Sequence, residues 1–143
     1  MLDLGIEDYL LADVMRGVAG QRLIRRLCDD CARPSPAADA EVHELAIPAH
    51  LRAVADREPA AWREPVGCAK CGGSGFRGRV GVYELAPMSP AIIAGMRASA
   101  DEDQLTVAAR SEGFLSFADD GFLKARRGET ALSEVYRIAG AGE

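Results

Sequence analysis

Apolar residues recur at helical spacing over residues 6–18, where Ile6, Leu10, Leu11, Val14, Met15 and Val18 share a face. Glu7 and Asp8 in the first turn and Arg16 near the end suit the helix dipole, and Gly17 and Gly20 break the pattern. "QRLIRRL" (21–27) reads either as a short strand or as a further helical turn, and the strand is favoured. "RPSPAADA" (33–40) is a turn or loop. "EVHELAIPAHLRAVAD" carries a weak helical period interrupted by Pro48, and "REPAAWREPV" is loop-like around its one large anchor, Trp62. "RVGVYEL" (79–85) alternates its side chains and is rich in β-branched and aromatic residues, which predicts a strand.

After Pro87 the period becomes helical. Ser89 suits an N-cap with Pro90 at the first helical position. Asp101 suits the cap of a helix that Gly113 ends. "FLSFADDGFLKARR" sets Leu115, Ala118, Phe122 and Ala125 near one face before Gly128, and "ALSEVYRIAG" after Thr130 gives a last short helix. The pattern as a whole predicts an α+β chain, mostly helical, closing in a C-terminal helical bundle.

The 143 residues suit one ordinary domain or two small ones, and 48% hydrophobic content is enough for a core. A net charge of -5 argues against a nucleic-acid module, so no nucleic-acid partner is expected. Arginine is concentrated locally in "QRLIRRL" and "GFRGR". No apolar run reaches the roughly 18 residues of a membrane-spanning helix, and direct membrane insertion is not expected. The N-terminus is acidic and lacks the basic start of a signal peptide. The expected compartment is the cytoplasm, where cysteines stay reduced and metal binding outranks disulfides.

All four cysteines fall in two C-x-x-C pairs, Cys28/Cys31 and Cys68/Cys71. A C-x-x-C turn points both sulfurs to one side, and two such turns supply the four thiolates of a tetrahedral zinc site. The 36 residues between the pairs exceed usual zinc-ribbon spacing, so a small substructure is threaded between the knuckles. Glycines after Cys71 allow tight turns whose N–H groups reach sulfur. A closed four-thiolate site has no open position, so the expected Zn2+ is structural. Neither pair has the strand-then-helix setting of a redox C-x-x-C.

"GGSGFRGR" lacks the G-x-x-x-x-G-K-[ST] pattern of a phosphate-binding loop, and no such pattern occurs in the chain. ATP is therefore not expected to bind here, and no catalytic residue is assigned. His43 and His50 read as surface or helix-face residues; Asp119–Asp120 and Asp101–Glu102–Asp103 read as helix-start and solvated charges. Arg25, Arg26, Arg77 and Arg79 flank the knuckles, as a solvated basic rim or as contacts to an acidic partner or phosphate.

Three stretches, "LGIEDYLLADVMRGVAGQRLIRRLCDDC", "GCAKCGGSGFRGRVGVYEL" and "EGFLSFADDGFLKARRGETALSEVYRI", resemble consecutive parts of one family. It is the family of type II secretion and type IV pilus assembly ATPases, hexameric traffic ATPases. Gly20, where the family has alanine, is a minor departure. The resemblance implies that residues 1–27 are the last helix and a strand of a RecA-like ATPase core, and that 28–71 are a tetracysteine zinc-binding insertion. Residues 72–87 would be a glycine turn and returning core strand, and 88–143 a C-terminal helical subdomain. It implies as partners the upstream ATPase core or neighbouring hexamer subunits and inner-membrane platform proteins, through which the chain would sit peripherally at that membrane. The family's phosphate loop and catalytic motifs lie upstream of this region, so ATP would bind only in a full-length parent. The expectation is a piece of such an enzyme, a split gene or a decayed one. A free-standing zinc-knuckle adaptor or chaperone-like module is the alternative, since "CAKCGGSG" is similar to co-chaperone knuckles; a zinc-ribbon nucleic-acid binder is disfavoured by charge.

Overall fold

A computed structural model of the chain describes residues 13–36, 49–57 and 59–139. Two long strands, β1 (Gly17–Leu27) and β4 (Phe76–Pro87), pair with each other. Cys28 N–H donates to the Gly75 carbonyl (2.9 Å) and Met88 N–H to the Arg16 carbonyl (3.1 Å), so the pair is antiparallel. A second ladder joins β2 (Arg33–Pro34) to β3 (Arg63–Glu64), with Arg33 opposite Glu64 and Pro34 opposite Arg63. Helix α1 (Ala49–Ala55) lies between β2 and β3 in sequence. After β4 come α2 (Pro90–Arg97), α3 (Glu102–Ser111), α4 (Phe117–Arg126) and α5 (Leu132–Ala139).

The chain divides into two compact units, residues 1–20 with 84–115 and residues 21–83 with 116–143. In the first unit, α2 and α3 form as their caps dictate. Ser89 Oγ accepts from Ile92 N–H (3.2 Å), with Pro90 opening the helix. Asp101 and Gln104 make a reciprocal capping box, at 2.9 and 3.2 Å. Met15, Met88, Met96, Leu105 and Phe114 line an apolar cavity of about 580 Å³.

The second unit carries the core in three adjoining clusters. Trp62 packs on Ala125, Leu132 and Val135, with Phe122 edge-on to its ring at 5.3 Å. Ile24 and Val82, from the two long strands, meet Ile138 of α5. Leu27 and Ala32 meet Ala131, with Phe76 against them. The strands of this unit are thus covered by α4 and α5, and Trp62, one residue before β3, packs on the same helices.

The predicted helix over residues 6–18 falls mostly outside the described residues. Asp13 and Val14 are helical, but Val18 lies in β1. The pairing with β4 claims it: Gly17 stands against the Ala86 carbonyl so closely that a Cβ would lie 3.2 Å from the oxygen. The predicted strands at 21–27 and 79–85 are both present and extend beyond those limits. The two stretches read as loops around Pro34 and Trp62 hold the short β2–β3 ladder.

Candidate metal centre

Each cysteine pair occupies a tight turn beside a paired strand. β1 ends at Leu27, and Cys28 then turns the chain, its carbonyl accepting from Cys31 N–H (3.2 Å) and Ala32 N–H (2.9 Å). Beyond β3, Cys68 opens a 3₁₀ turn over Ala69–Cys71, its carbonyl accepting from Cys71 N–H (3.2 Å) and Gly73 N–H (2.9 Å). The Cys28–Gly75 backbone bond joins the turns directly, and the β2–β3 ladder closes the chain behind them. Two glycines have no substitute in this geometry. Gly67 (φ +105°) and Gly75 (φ +76°) are left-handed, and a Cβ on either would come within 2.4 Å of Gly73 O or Pro65 Cβ.

The four sulfurs converge. Cys28 Sγ lies 4.0 Å from Cys68 Sγ, Cys31 Sγ 3.9 Å from Cys71 Sγ, and Cys68 Sγ 3.7 Å from Cys71 Sγ. All four lie within 4.8 Å of one another. A tetrahedron with metal–sulfur bonds of about 2.3 Å has edges of about 3.8 Å, whereas a disulfide would bring two sulfurs to about 2.05 Å. The spacing fits four ligands of one ion and fits no disulfide. Among the described residues this is the cluster that could hold a metal.

The backbone prepares the sulfurs for charge. Cys68 N–H (3.1 Å) and Gly75 N–H (3.2 Å) both point at Cys71 Sγ. The Cys68 N–H, with that of Gly75, holds the Cys71 thiol down to about 6. Burial pushes Cys31 up to about 11, and the neighbouring sulfurs add to the rise. A cation at the centre would supply the opposite charge that four thiolates need.

The flanking arginines take different places. Arg25 donates from Nε (3.0 Å) and Nη2 (2.7 Å) to Glu134 Oε1 and stacks over Phe76 at 4.1 Å. Arg26 pairs with Asp29 (3.0 Å), Arg77 approaches Asp30 (3.9 Å), and exposed Arg79 borders a shallow depression with Leu23, Arg25 and Arg137. His50 lies on α1 and meets Asp119 Oδ1 at 3.0 Å. Asp119 is buried rather than solvated: Ser116 N–H (2.9 Å) and Oγ (2.8 Å) donate to it, so it is both the reciprocal cap of α4 and the anchor of α1. Burial works against its charge, but the Ser116 and His50 donors hold its carboxyl below the usual range. His43 lies outside the described residues.

Residues that the sequence left in a mere motif prove to tie the centre to the helices. In "GETALSEVYR", the Glu129 carbonyl accepts from Leu27 N–H (3.0 Å), next to Cys28. Fully buried Thr130 donates from Oγ1 to the Arg25 carbonyl (2.8 Å). Glu134, 1% exposed, accepts from Arg25 N–H (3.0 Å) and from both Arg25 and Arg137 guanidinium groups. Burial opposes the Glu134 charge, yet the two arginines hold the carboxyl down to about 2.

The sequence model of the Type II/IV secretion system protein family matches residues 1–137. The chain belongs to this family. It is similar to Type II secretion system protein E of Aeromonas hydrophila, 36% identical over 138 residues that cover 96% of this chain and 26% of that protein. Type II secretion system ATPase E of Vibrio cholerae is also 36% identical, over 95% of this chain and 25% of that protein. Type IV pilus assembly ATPase PilB of Thermus thermophilus is 29% identical over 93% of this chain and 14% of that protein. The chain thus spans about a quarter of the secretion proteins it matches. The likeness read from the knuckles and the terminal motif is to this family.

Proposed function

We propose that these residues form a structural zinc-binding region of a type II secretion or type IV pilus assembly ATPase. Cys28, Cys31, Cys68 and Cys71 would hold one Zn2+, and the observation that carries this is the convergence of four sulfurs at tetrahedral spacing. The ion supplies a cross-link and no reaction, since four sulfurs leave it no open position. The region itself hydrolyses no ATP on this reading. β1 and β4 would belong to a RecA-like core, residues 28–71 would be an insertion in it, and the cysteines would staple that insertion at its base. In the assembled protein the region would serve ATP-driven secretion or pilus assembly, packing on neighbouring subunits and on inner-membrane platform proteins at the cytoplasmic face. Family membership supports this over a free-standing adaptor. Among the described residues no helix is long and apolar enough to cross a membrane, which agrees with attachment through partners.

Elemental analysis of the chain purified under reducing conditions tests the metal. One zinc per chain is expected, and Cys28→Ser or Cys68→Ser should abolish it; a metal-free wild-type protein would sink the assignment. ATP turnover by a contaminant-free sample of these residues would overturn the non-catalytic part.

A further inference from the structure

We propose that Lys70 and Arg77 form an electrostatic counterweight to Asp30 that sets how tightly the four cysteines hold their metal. The proposal rests on the metal reading above and adds positioning residues to it. Asp30 lies inside the first knuckle, between Cys28 and Cys31, and Lys70 lies inside the second, between Cys68 and Cys71. Their side chains meet across the gap: Lys70 Nζ donates to Asp30 Oδ1. Arg77 Nη1 approaches the other oxygen, Oδ2, at 3.9 Å. That same oxygen stands only 4.0 Å from Cys28 Sγ.

The arrangement is asymmetric in charge. Four thiolates around a dication carry a net charge of about −2. A carboxylate within contact distance of one sulfur repels that centre, and a cation in its vicinity attracts it. Asp30 alone would weaken the site. With Lys70 and Arg77 on it, its charge is offset, and the same pair bridges the two knuckles. An ordinary exposed ion pair would behave otherwise: its two partners would matter equally and little, because water screens such pairs to less than about 1 kcal/mol. Lys70 is 63% exposed and Asp30 37%, so any large effect must come from the centre and not from the pair itself.

The two partners are therefore expected to act in opposite directions. Lys70→Ala leaves Asp30 facing the sulfurs and should speed metal loss by about tenfold, the low end for partners that support metal ligands. Asp30→Asn removes the repulsion, leaves both cations in place, and should slow metal loss or leave it unchanged. The double variant should fall between them, and Lys70→Arg should restore wild-type behaviour.

The experiment is release of Zn2+ from the zinc-loaded 143-residue chain to a coloured chelator, followed at low salt and again near 1 M salt. The accelerated loss in Lys70→Ala should shrink in high salt, where charges are screened beyond about 3 Å. Cobalt(II) in place of zinc reports by its thiolate absorption whether each variant keeps four sulfur ligands, which separates a retuned site from a misfolded one. Equal acceleration in Lys70→Ala and Asp30→Asn would overturn the proposal in favour of a plain structural bridge, as would no acceleration in either. A wild-type chain that takes up neither zinc nor cobalt would instead remove the metal reading itself.

Discussion

Glu134 carries more of this structure than its place in the sequence suggests. It is buried beneath two arginines that are themselves half-exposed, and it also accepts the backbone N–H of Arg25. Such a carboxylate is stabilising only while charged. Its ordinary value is 4.5 and its folded value about 2, so its contribution is complete above about pH 4.5 and is lost as pH falls towards 2. Glu134→Gln should cost about 2 kcal/mol at neutral pH, the loss of charged hydrogen bonds in a buried place. It should also flatten the acid limb of the unfolding curve between those two values. Urea titrations of both proteins across that range, by circular dichroism, would check the difference; identical acid limbs would remove Glu134 from this role. The sequence marks Glu134 only as three residues before Arg137, because its burial depends on Arg25, 109 positions away. Asp119 stands at a helix start as its pattern indicates, but its burial does not show in the sequence, because its partner His50 is 69 positions distant.

Among the elements, what is local was legible and what is long-range was not. Ser89, Pro90, Asp101 and Gly113 announce α2 and α3 because caps act within one turn. The two C-x-x-C pairs announce the centre because each turn is local and their chemistry is shared. The β2–β3 ladder is two residues long on each side and carries no periodic signal. The exchange of Val18 from helix to strand reflects pairing with β4, which no spacing within 6–18 records. Trp62 was visible as an anchor, and the structure supplies its partners on α4 and α5. Trp62→Ala should therefore cost about 3–5 kcal/mol, in the range of a large aromatic removed from a core. Chemical unfolding followed by circular dichroism measures it; a cost below about 1 kcal/mol would mean that residues 59–64 are not fastened there.

For the molecule as a whole, the division into two units makes a prediction about metal removal. Residues 28–36 and 59–76 belong with the centre, whereas α2 and α3 belong to the other unit. If the proposed ion is bound, stripping it should raise amide exchange in the knuckles and the β2–β3 ladder first, and in α2 and α3 least. Hydrogen-exchange mass spectrometry resolves the two groups of peptides, and a uniform rise would show that the units open together. The bond between Arg25 and Glu134 has a further consequence, in the order in which the chain is made. On a ribosome adding about 5–20 residues per second, the 109 positions between them take roughly 5–20 seconds to follow. During that interval Ile24 lacks Ile138 of α5, and Leu27 lacks Ala131 just before that helix. The second knuckle emerges well before α5. An ion captured at that moment would hold the ends of β1 and β4 together while their cover is still being synthesised.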